Sequence, residues 1–527
     1  MANSPGLLAE SHPGMDGAMY PGEHARTSPD KPAAIKAETG EVLTYRELDE
    51  QSNRLAQLLH AEGLSHGDHI ALFMENQLSY FCVVWAALRS GLYITAINRY
   101  LTADEAEYIV NDCGAKVLVS SIERADVAAA LVGRVPNCTR LLMLGGTVPG
   151  WESYETAIAA MPTTKLAEEW LGDTMLYSSG TTGRPKGIKR VAPPARVGEA
   201  FRMLDMFHEY GYRRDMVYLS PAPLYHAAPL GFTVGVQRFG GTVVMMSRFD
   251  PLEALRLIER HRVTHSQWVP TMFVRMLKLP EAECRGFDLS NHEVAIHAAA
   301  PCPVDVKRRM IEWLGPIIYE YYGATEGNGR TALDSAEWLA HPGSVGRSKL
   351  GVIHICDDEG AELPVGEDGL VYFERDAMPF AYHNDAGKTE QARHPAHLTW
   401  TTLGDIGHLD GEGYLYLTDR KAFMIISGGV NIYPQQIEDV LIGHPKVHDV
   451  AVIGVPNADL GEEVKAVVEA ADGVEGDLAL AEELTAYLKQ RVARYMVPKS
   501  IDFTDALPRL PTGKLYKAAL RDQYRQA

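Results

Sequence analysis

The chain has 527 residues, more than one hydrophobic core usually organises, so a large domain with at least one smaller companion is expected. Apolar residues make up 46% and charged residues 23%, with 47 Gly and 30 Pro, which excludes wholesale disorder and collagen-like repetition. Lys and Arg number 50 against 69 Asp and Glu, and the net charge of −19 repels polyanions and anionic lipid, so nucleic acid is excluded as a default partner.

The first 32 residues read as a polar, partly mobile lead-in, without the basic start and apolar core of a signal peptide. Thr44-Tyr45-Arg46-Glu47 has capping-box spacing, and Leu48, Leu55, Leu58 and Leu59 then recur on one helical face. A strand at Ala71 to Met74, an apolar helix at Ser79 to Ser90 and a buried strand at Ala115 to Ser120 follow, an alternation that argues for α/β layers. Val306, Met310, Trp313 and Leu314 predict another helix, and the run Ile317 to Tyr322 predicts a strand that stops at Gly323. Asp410-Gly411 marks a hairpin between two strands, the second running into Asp419-Arg420-Lys421, where a domain boundary is expected. Beyond it lie a helix opened by Pro434, strands at Val450 to Ile453 and Val464 to Val468, and a helix carrying Leu484, Leu488 and Val492.

No apolar run reaches the roughly 20 residues a bilayer core requires. The six cysteines are scattered without a C-x-x-C pair, so neither a disulfide framework nor a zinc site is expected and a reducing cytoplasm fits.

The segment Tyr177-Ser178-Ser179-Gly180-Thr181-Thr182-Gly183-Arg184-Pro185-Lys186-Gly187 carries the most chemistry. Its glycines let backbone N–H groups approach a polyphosphate, its hydroxyls can donate to phosphate oxygens or join a Mg²⁺ shell, and its two cations neutralise charge. It is not a Walker A loop, because Lys186 is followed by Gly187 rather than Ser or Thr. Glu326, beside Thr325 at the end of a strand, can hold a Mg²⁺ that screens phosphates, with the Thr325 hydroxyl at the α-phosphate. Tyr322 offers either an adenine-stacking face or an ordinary strand aromatic. Asp405, in a Gly-flanked turn, offers either a bidentate acceptor for a diol or a plain Asx turn.

The phosphate segment resembles the signature [ST]-S-G-[ST]-T-G-x-P-K-G of the adenylate-forming superfamily of acyl-CoA synthetases, luciferases and peptide-synthetase adenylation domains. Five further segments recur in that family's order: Tyr322 to Glu326, Thr402 to Gly407, Asp419-Arg420-Lys421, Ser427 to Pro434, and Pro511-Thr512-Gly513-Lys514. The resemblance spans about Thr44 to Lys514. It implies a large N-terminal AMP-binding domain of several mixed α/β subdomains, residues 1–420, and a small mobile α+β domain, residues 421–527, that carries a catalytic lysine.

That resemblance implies the rest of the site. Ser178 to Gly183 and Lys186 would hold phosphates, with Thr181 joining Glu326 at Mg²⁺. Ala299, Ala300 and Pro301 would form the adenine wall with Tyr322, while Asp405 and Arg420 would hold ribose, although a surface salt bridge is the plain alternative for Arg420. Lys514, otherwise a solvent lysine, matches the residue that stabilises charge as a carboxylate attacks the α-phosphate. His226, otherwise a structural histidine, matches an aromatic gate beside the carboxylate tunnel. Ser427, Gly428 and Gly429 would guide the thiol after a domain rotation.

Two departures from the family pattern stand out: His297-Ala298 replaces the usual Ser-Gly before the adenine turn, and Ala422 replaces the usual Asp or Lys at the hinge. The expected reaction joins a hydrophobic carboxylic acid, ATP and coenzyme A, with Mg²⁺, in fatty-acid or lipid metabolism. A medium- or long-chain fatty acid or a bulky alicyclic acid leads, and an aryl acid or transfer to a carrier-protein phosphopantetheine is the alternative. A homodimer is compatible with the sequence, and a nucleotide-binding module without turnover is the contrasting class.

Overall fold

The computed structural model describes residues 19–178, 185–190, 194–199, 201, 203–284, 286–428, 430–457, 459–509 and 515–525. A mixed α/β N-terminal domain precedes a smaller C-terminal one. Among the described residues, thirteen strands form the largest sheet, and its strands Pro32–Lys36, Thr242–Met245, Val217–Ser220, His265–Trp268, Val294–His297 and Ile318–Gly323 run parallel. Beyond Ile318–Gly323 the pairing turns antiparallel, through Arg330–Leu333, Ser344–Leu350, Leu415–Arg420 and Trp400–Leu409. A second sheet is built on the parallel strands Tyr93–Ala96, His69–Phe73, Val117–Ser121 and Arg140–Leu144.

Local chemistry sets these elements. The Thr44 side chain accepts the Glu47 N–H while Glu47 accepts the Thr44 N–H, so the expected capping box opens helix Tyr45–Ala61, and Leu48, Leu55, Leu58 and Leu59 are buried. Helix Leu78–Arg89 is buried on nearly every face, which is why its sequence is apolar from Tyr80 to Leu88. Asp410-Gly411 lies between antiparallel strands as expected, but Leu409 pairs with Leu415, so five residues make the connection rather than a two-residue turn. Asp410 accepts the N–H groups of Glu412 and Tyr414 and holds that longer loop closed.

Two expectations are corrected. The lead-in is folded from Met19 onward: Pro21 opens helix Pro21–Thr27, His24 is buried with Nε2 2.7 Å from the Arg238 carbonyl, and Arg238 bonds the Met19 carbonyl. Met19, Tyr20 and Ala25 also pack against the large core, and these scattered apolar residues among polar ones leave no periodic signal in the sequence. The last helix predicted in the C-terminal domain spans Leu478–Lys489, so Val492 lies just beyond it, although its N–H still reaches the Leu488 carbonyl.

The C-terminal domain has its own sheet, Val430–Ile432, Ile425–Ser427, Gly461–Ala470, Val447–Asn457 and Ser500–Phe503, covered by helices Pro434–Ile442 and Leu478–Lys489. Ile437, Leu441, Leu484 and Leu488 are fully buried against Val452 and Ala466. In the arrangement described, Lys278 of the large domain donates to the carbonyls of Val447 and His448, and the Gln435 N–H donates to Asp419.

One buried charge network ties helix Leu78–Arg89 to the chain leading into the phosphate segment. Arg89 meets Glu169 at 2.7 Å, Asp49 at 2.9 Å and Ser52 Oγ at 2.8 Å, with 3% of its side chain exposed. Arg89→Ala should cost about 3–5 kcal/mol, because it strands Glu169 in the interior. Urea unfolding of the variant beside the wild type measures this, and a loss below about 1 kcal/mol, the worth of a surface pair, would contradict it.

Candidate active site

The loops that leave the C-terminal ends of the parallel strands carry the expected site, as the geometry of an open α/β sheet dictates. Ser220 leads to His226, His297 to Ala299, and Gly323 to Thr325 and Glu326.

Tyr322, Asp405 and Arg420, far apart in sequence, meet here. The Tyr322 hydroxyl donates to Asp405 Oδ2 at 2.6 Å and Arg420 Nε donates to Oδ1 at 2.8 Å. Asp405 is 6% exposed and raises the basicity of Arg420, whereas burial, then Asp405, pushes the Tyr322 phenol well above its ordinary range. Asp405 is therefore a preorganised acceptor with both oxygens oriented, whose remaining lone pairs can take a diol. Tyr322 holds Asp405 by its hydroxyl while leaving its ring as a flat wall.

The phosphate segment lies on a hairpin. Strand Leu176–Ser178 pairs with Lys186–Lys189, in register Ser178↔Lys186, and Ala381–Tyr382 adds a third strand. Ser179, Gly180, Thr181, Thr182 and Gly183 lie outside the described residues, as do Gly429 and Lys514. The Tyr177 hydroxyl donates to Asp112, which fixes one flank, and a Cβ on Gly187 would sit 3.0 Å from the Tyr177 ring. Burial and the neighbouring Lys388 lower the Lys186 ammonium from its ordinary value.

Glu326 is 8% exposed, and the Tyr382 hydroxyl donates to its Oε1 at 3.0 Å. Lys186 stands over the Tyr382 ring, 5.1 Å from the centroid. Tyr382 thus links the carboxylate to the phosphate hairpin. Arg190 bonds the Thr325 carbonyl at 3.4 Å and Thr174 Oγ1 at 2.7 Å, bracing the turn from the other side. Neither Tyr382 nor Arg190 carries a sequence signal, because their partners lie 56 and 135 residues away.

Among the described residues no cluster of three or more His, Cys, Asp or Glu could cage a metal. A Mg²⁺ held largely by nucleotide phosphates and water needs only one or two carboxylates, and Glu326 fits that role.

Ala299 adopts φ +79°, a left-handed conformation that L side chains resist, which bends the chain sharply after strand Val294–His297 into Ala300 and Pro301. Beneath that turn His297 is fully buried, 3.5 Å from Glu320, which pairs with the buried Lys307. His297 thus lies beside the buried Lys307–Glu320 pair, with neither ring nitrogen hydrogen-bonded among the described residues. Ser427 pairs with Gly461 and the Gly428 N–H donates to Leu460, so both are braced within their own domain.

His226 precedes helix Ala227–Phe239, and its Nε2 is buried with no hydrogen-bond partner among the described residues. Burial pushes the imidazole down to about 4, so it is neutral at physiological pH. Behind the helix the interior is filled by rings: Phe232 stacks on Tyr321 at 5.8 Å and Phe207 on Tyr212 at 4.5 Å, with Tyr210, Tyr218 and Phe239 buried around them. Gly235 lies so close to Phe207 that a Cβ would come within 2.4 Å of its ring.

Comparison with known proteins agrees with this geometry. The pattern of the AMP-binding enzyme family matches residues 22–382, and that of the AMP-binding enzyme C-terminal domain matches residues 436–514. The chain is 33% identical to the long-chain-fatty-acid–CoA ligase FadD13 of Mycobacterium tuberculosis, over 95% of this chain and 97% of that protein. It is 35% identical to a feruloyl-CoA synthase of an Amycolatopsis species, over 96% and 98%. The crystal structure of ATP-bound MatB from Rhodopseudomonas palustris superposes with a TM-score of 0.79 at 29% identity, covering 96% of this chain and 99% of that one.

A neutral buried histidine has a consequence in acid. With the folded value lowered to about 4 from 6.5, His226 contributes stability that is fully present above 6.5 and is lost as pH falls towards 4. His226→Gln removes that proton uptake, so the stability difference between wild type and variant should shrink from pH 7 to pH 5. Denaturant midpoints across that range measure it, and a pH-independent difference would contradict a neutral His226.

Proposed function

We propose, because this chain belongs to the AMP-binding enzyme family, that it acts as an AMP-forming acid–thiol ligase on a hydrophobic and compact carboxylic acid, aryl or alicyclic, rather than on a long straight chain. The acid's carboxylate attacks the α-phosphate of ATP, giving acyl-AMP and pyrophosphate. The thiol of coenzyme A then attacks the acyl carbonyl, and AMP leaves.

The observation that carries the acid class is the ring-filled interior behind helix Ala227–Phe239. A long chain entering beside His226 would have to displace buried Phe207, Tyr212 and Phe232, each worth several kcal/mol of packing, about 3–5 for a Phe removed outright. Flat rings already stacked there suit a flat or rounded acid, which meets them at offset-stacking or edge contact without opening the core. This drops the fatty-acid part of the leading expectation, keeps its bulky alicyclic part and adds the aryl alternative.

The remaining roles follow the chemistry of the groups. Asp405 and Arg420 hold ribose, Tyr322 and the turn Ala299-Ala300-Pro301 face adenine, and Thr325, Ser178 to Gly183 and Lys186 face the phosphates. Glu326, with Thr181, holds Mg²⁺, which when bound screens phosphate charge. His226, neutral and with an unpaired buried nitrogen, can receive or offer one hydrogen bond at the carboxylate entrance. The mobile unit comprises residues 421–527, pivoting at Ala422, whose carbonyl accepts a bond from Arg521 in the arrangement described. The pivot brings Lys514 for adenylation and Ser427-Gly428-Gly429 for thiol transfer.

Pyrophosphate release over a panel of benzoates, cinnamates, alicyclic acids and fatty acids up to palmitate, with and without coenzyme A, tests the acid class. Cinnamates or alicyclic acids should give the highest kcat/KM, and preference for palmitate would overturn it. Lys514→Ala should lose adenylation by about 3 kcal/mol, as for loss of one preorganised donor at a developing charge. The variant should still convert chemically prepared acyl-AMP and coenzyme A to thioester, and equal loss of both half-reactions would remove Lys514 from the first.

A further inference from the structure

The segment after Tyr382 folds back on the phosphate hairpin. The His383 N–H donates to the Gly187 carbonyl at 2.8 Å, extending the pairing of Ala381–Tyr382 with Lys186–Lys189. Asp385 then caps the short helix Ala386–Gln391: its Oδ1 accepts the Lys388 N–H at 2.9 Å. Thr389, 8% exposed, bonds the Asp385 carbonyl through its hydroxyl at 2.9 Å and accepts the Tyr382 N–H at 3.0 Å. These bonds lock the turn to the strand, so the position of Lys388 relative to Lys186 is set by main-chain geometry.

Two lysines meet there. Lys186 projects from the hairpin over the Tyr382 ring, and the register Ile188↔Tyr382 with the His383–Gly187 bond sets it across from the turn that carries Lys388, whose charge helps to lower the Lys186 ammonium. Like charges held together by the backbone repel, and the cost is relieved when an anion with several oxygens sits between them. The acids that face Lys186 are Asp385 and Glu326. Asp385 stands 3.7 Å from the Lys388 ammonium and already serves as the cap, while Glu326 is occupied with Tyr382. Lys388 keeps 34% of its side chain exposed, so a ligand can reach it.

We propose that Lys388 and Lys186 form a two-cation clamp on the terminal phosphates of the nucleotide, with Lys388 contacting the β- and γ-phosphates that leave together as pyrophosphate. The clamp rests on the reading that ATP is the nucleotide consumed. Because AMP lacks those phosphates, the clamp binds ATP and pyrophosphate and ignores AMP. It helps hold ATP before the reaction and lets AMP stay for the second half-reaction once pyrophosphate has gone.

Calorimetric titration of the full-length protein with ATP, inorganic pyrophosphate and AMP, without acid or coenzyme A, tests this. Lys388→Ala should weaken ATP and pyrophosphate about tenfold or more, the usual worth of a charge-assisted hydrogen bond, and leave AMP unchanged. Lys388→Arg should restore most of the loss, and the apparent KM for ATP should rise in Lys388→Ala with kcat changed far less. Thermal unfolding of both variants identifies any folding defect, and Lys388→Gln repeats the test with a stem of similar length. Unchanged ATP and pyrophosphate affinity, or equal weakening of AMP, would overturn the clamp. The outcomes separate from those of the ligase reading: a protein that binds ATP through Lys388 but activates no acid would sink the ligase and keep the clamp. One that makes thioester with ATP affinity indifferent to Lys388 would sink the clamp alone.

Discussion

A parallel strand followed by a crossover helix must return to the same end of the sheet, and the site depends on that constraint. The parallel strands from Pro32 to Gly323 therefore deliver their outgoing loops along one edge, where His226, Ala299 and the adjacent pair Thr325 and Glu326 lie on three separate loops. The three loops are far apart in sequence. The sheet turns antiparallel after Ile318–Gly323, and this lets Asp405 and Arg420, paired in register on neighbouring strands, fold back against Tyr322.

Electrostatics at that edge is arranged before any ligand arrives. Asp405 is desolvated yet held between a phenol and a guanidinium, so its two oxygens are aimed and its charge is compensated, whereas burying it alone would be prohibitive. Glu326 is treated the same way with a single phenol, that of Tyr382, and is left close to Lys186. Histidines are handled oppositely: burial lowers His226 and His265 to about 4 and His292 to about 3, so they are neutral rather than charged.

The two domains divide the work along their hydrophobic cores. The C-terminal domain closes its own core around Ile437, Leu484 and Val452, separate from the cores of the large domain. Its described bonds to the large domain are few and polar, such as those of Lys278 to the carbonyls of Val447 and His448, and polar contacts of this kind exchange readily with water.

Local chemistry was legible in the amino-acid order alone: the Thr44–Glu47 capping box, the largely apolar helix before Ser90 and the strand ending at Gly323 all depend on neighbours within a few residues. So did the family, because its motifs are short and ordered. Long-range choices were not legible. Only the tertiary structure brought the Tyr382 hydroxyl to Glu326, Lys388 to Lys186 and Arg190 to Thr325, because a contact across tens of residues is set by strand register and crossover, not by the residues between. It also decided that the polar segment from Met19 is folded, since its partners, Arg238 and the core on which Met19, Tyr20 and Ala25 pack, lie far along the chain, and that the space behind helix Ala227–Phe239 is filled, since rings spaced along the sequence do not reveal whether they will pack together or line a tunnel.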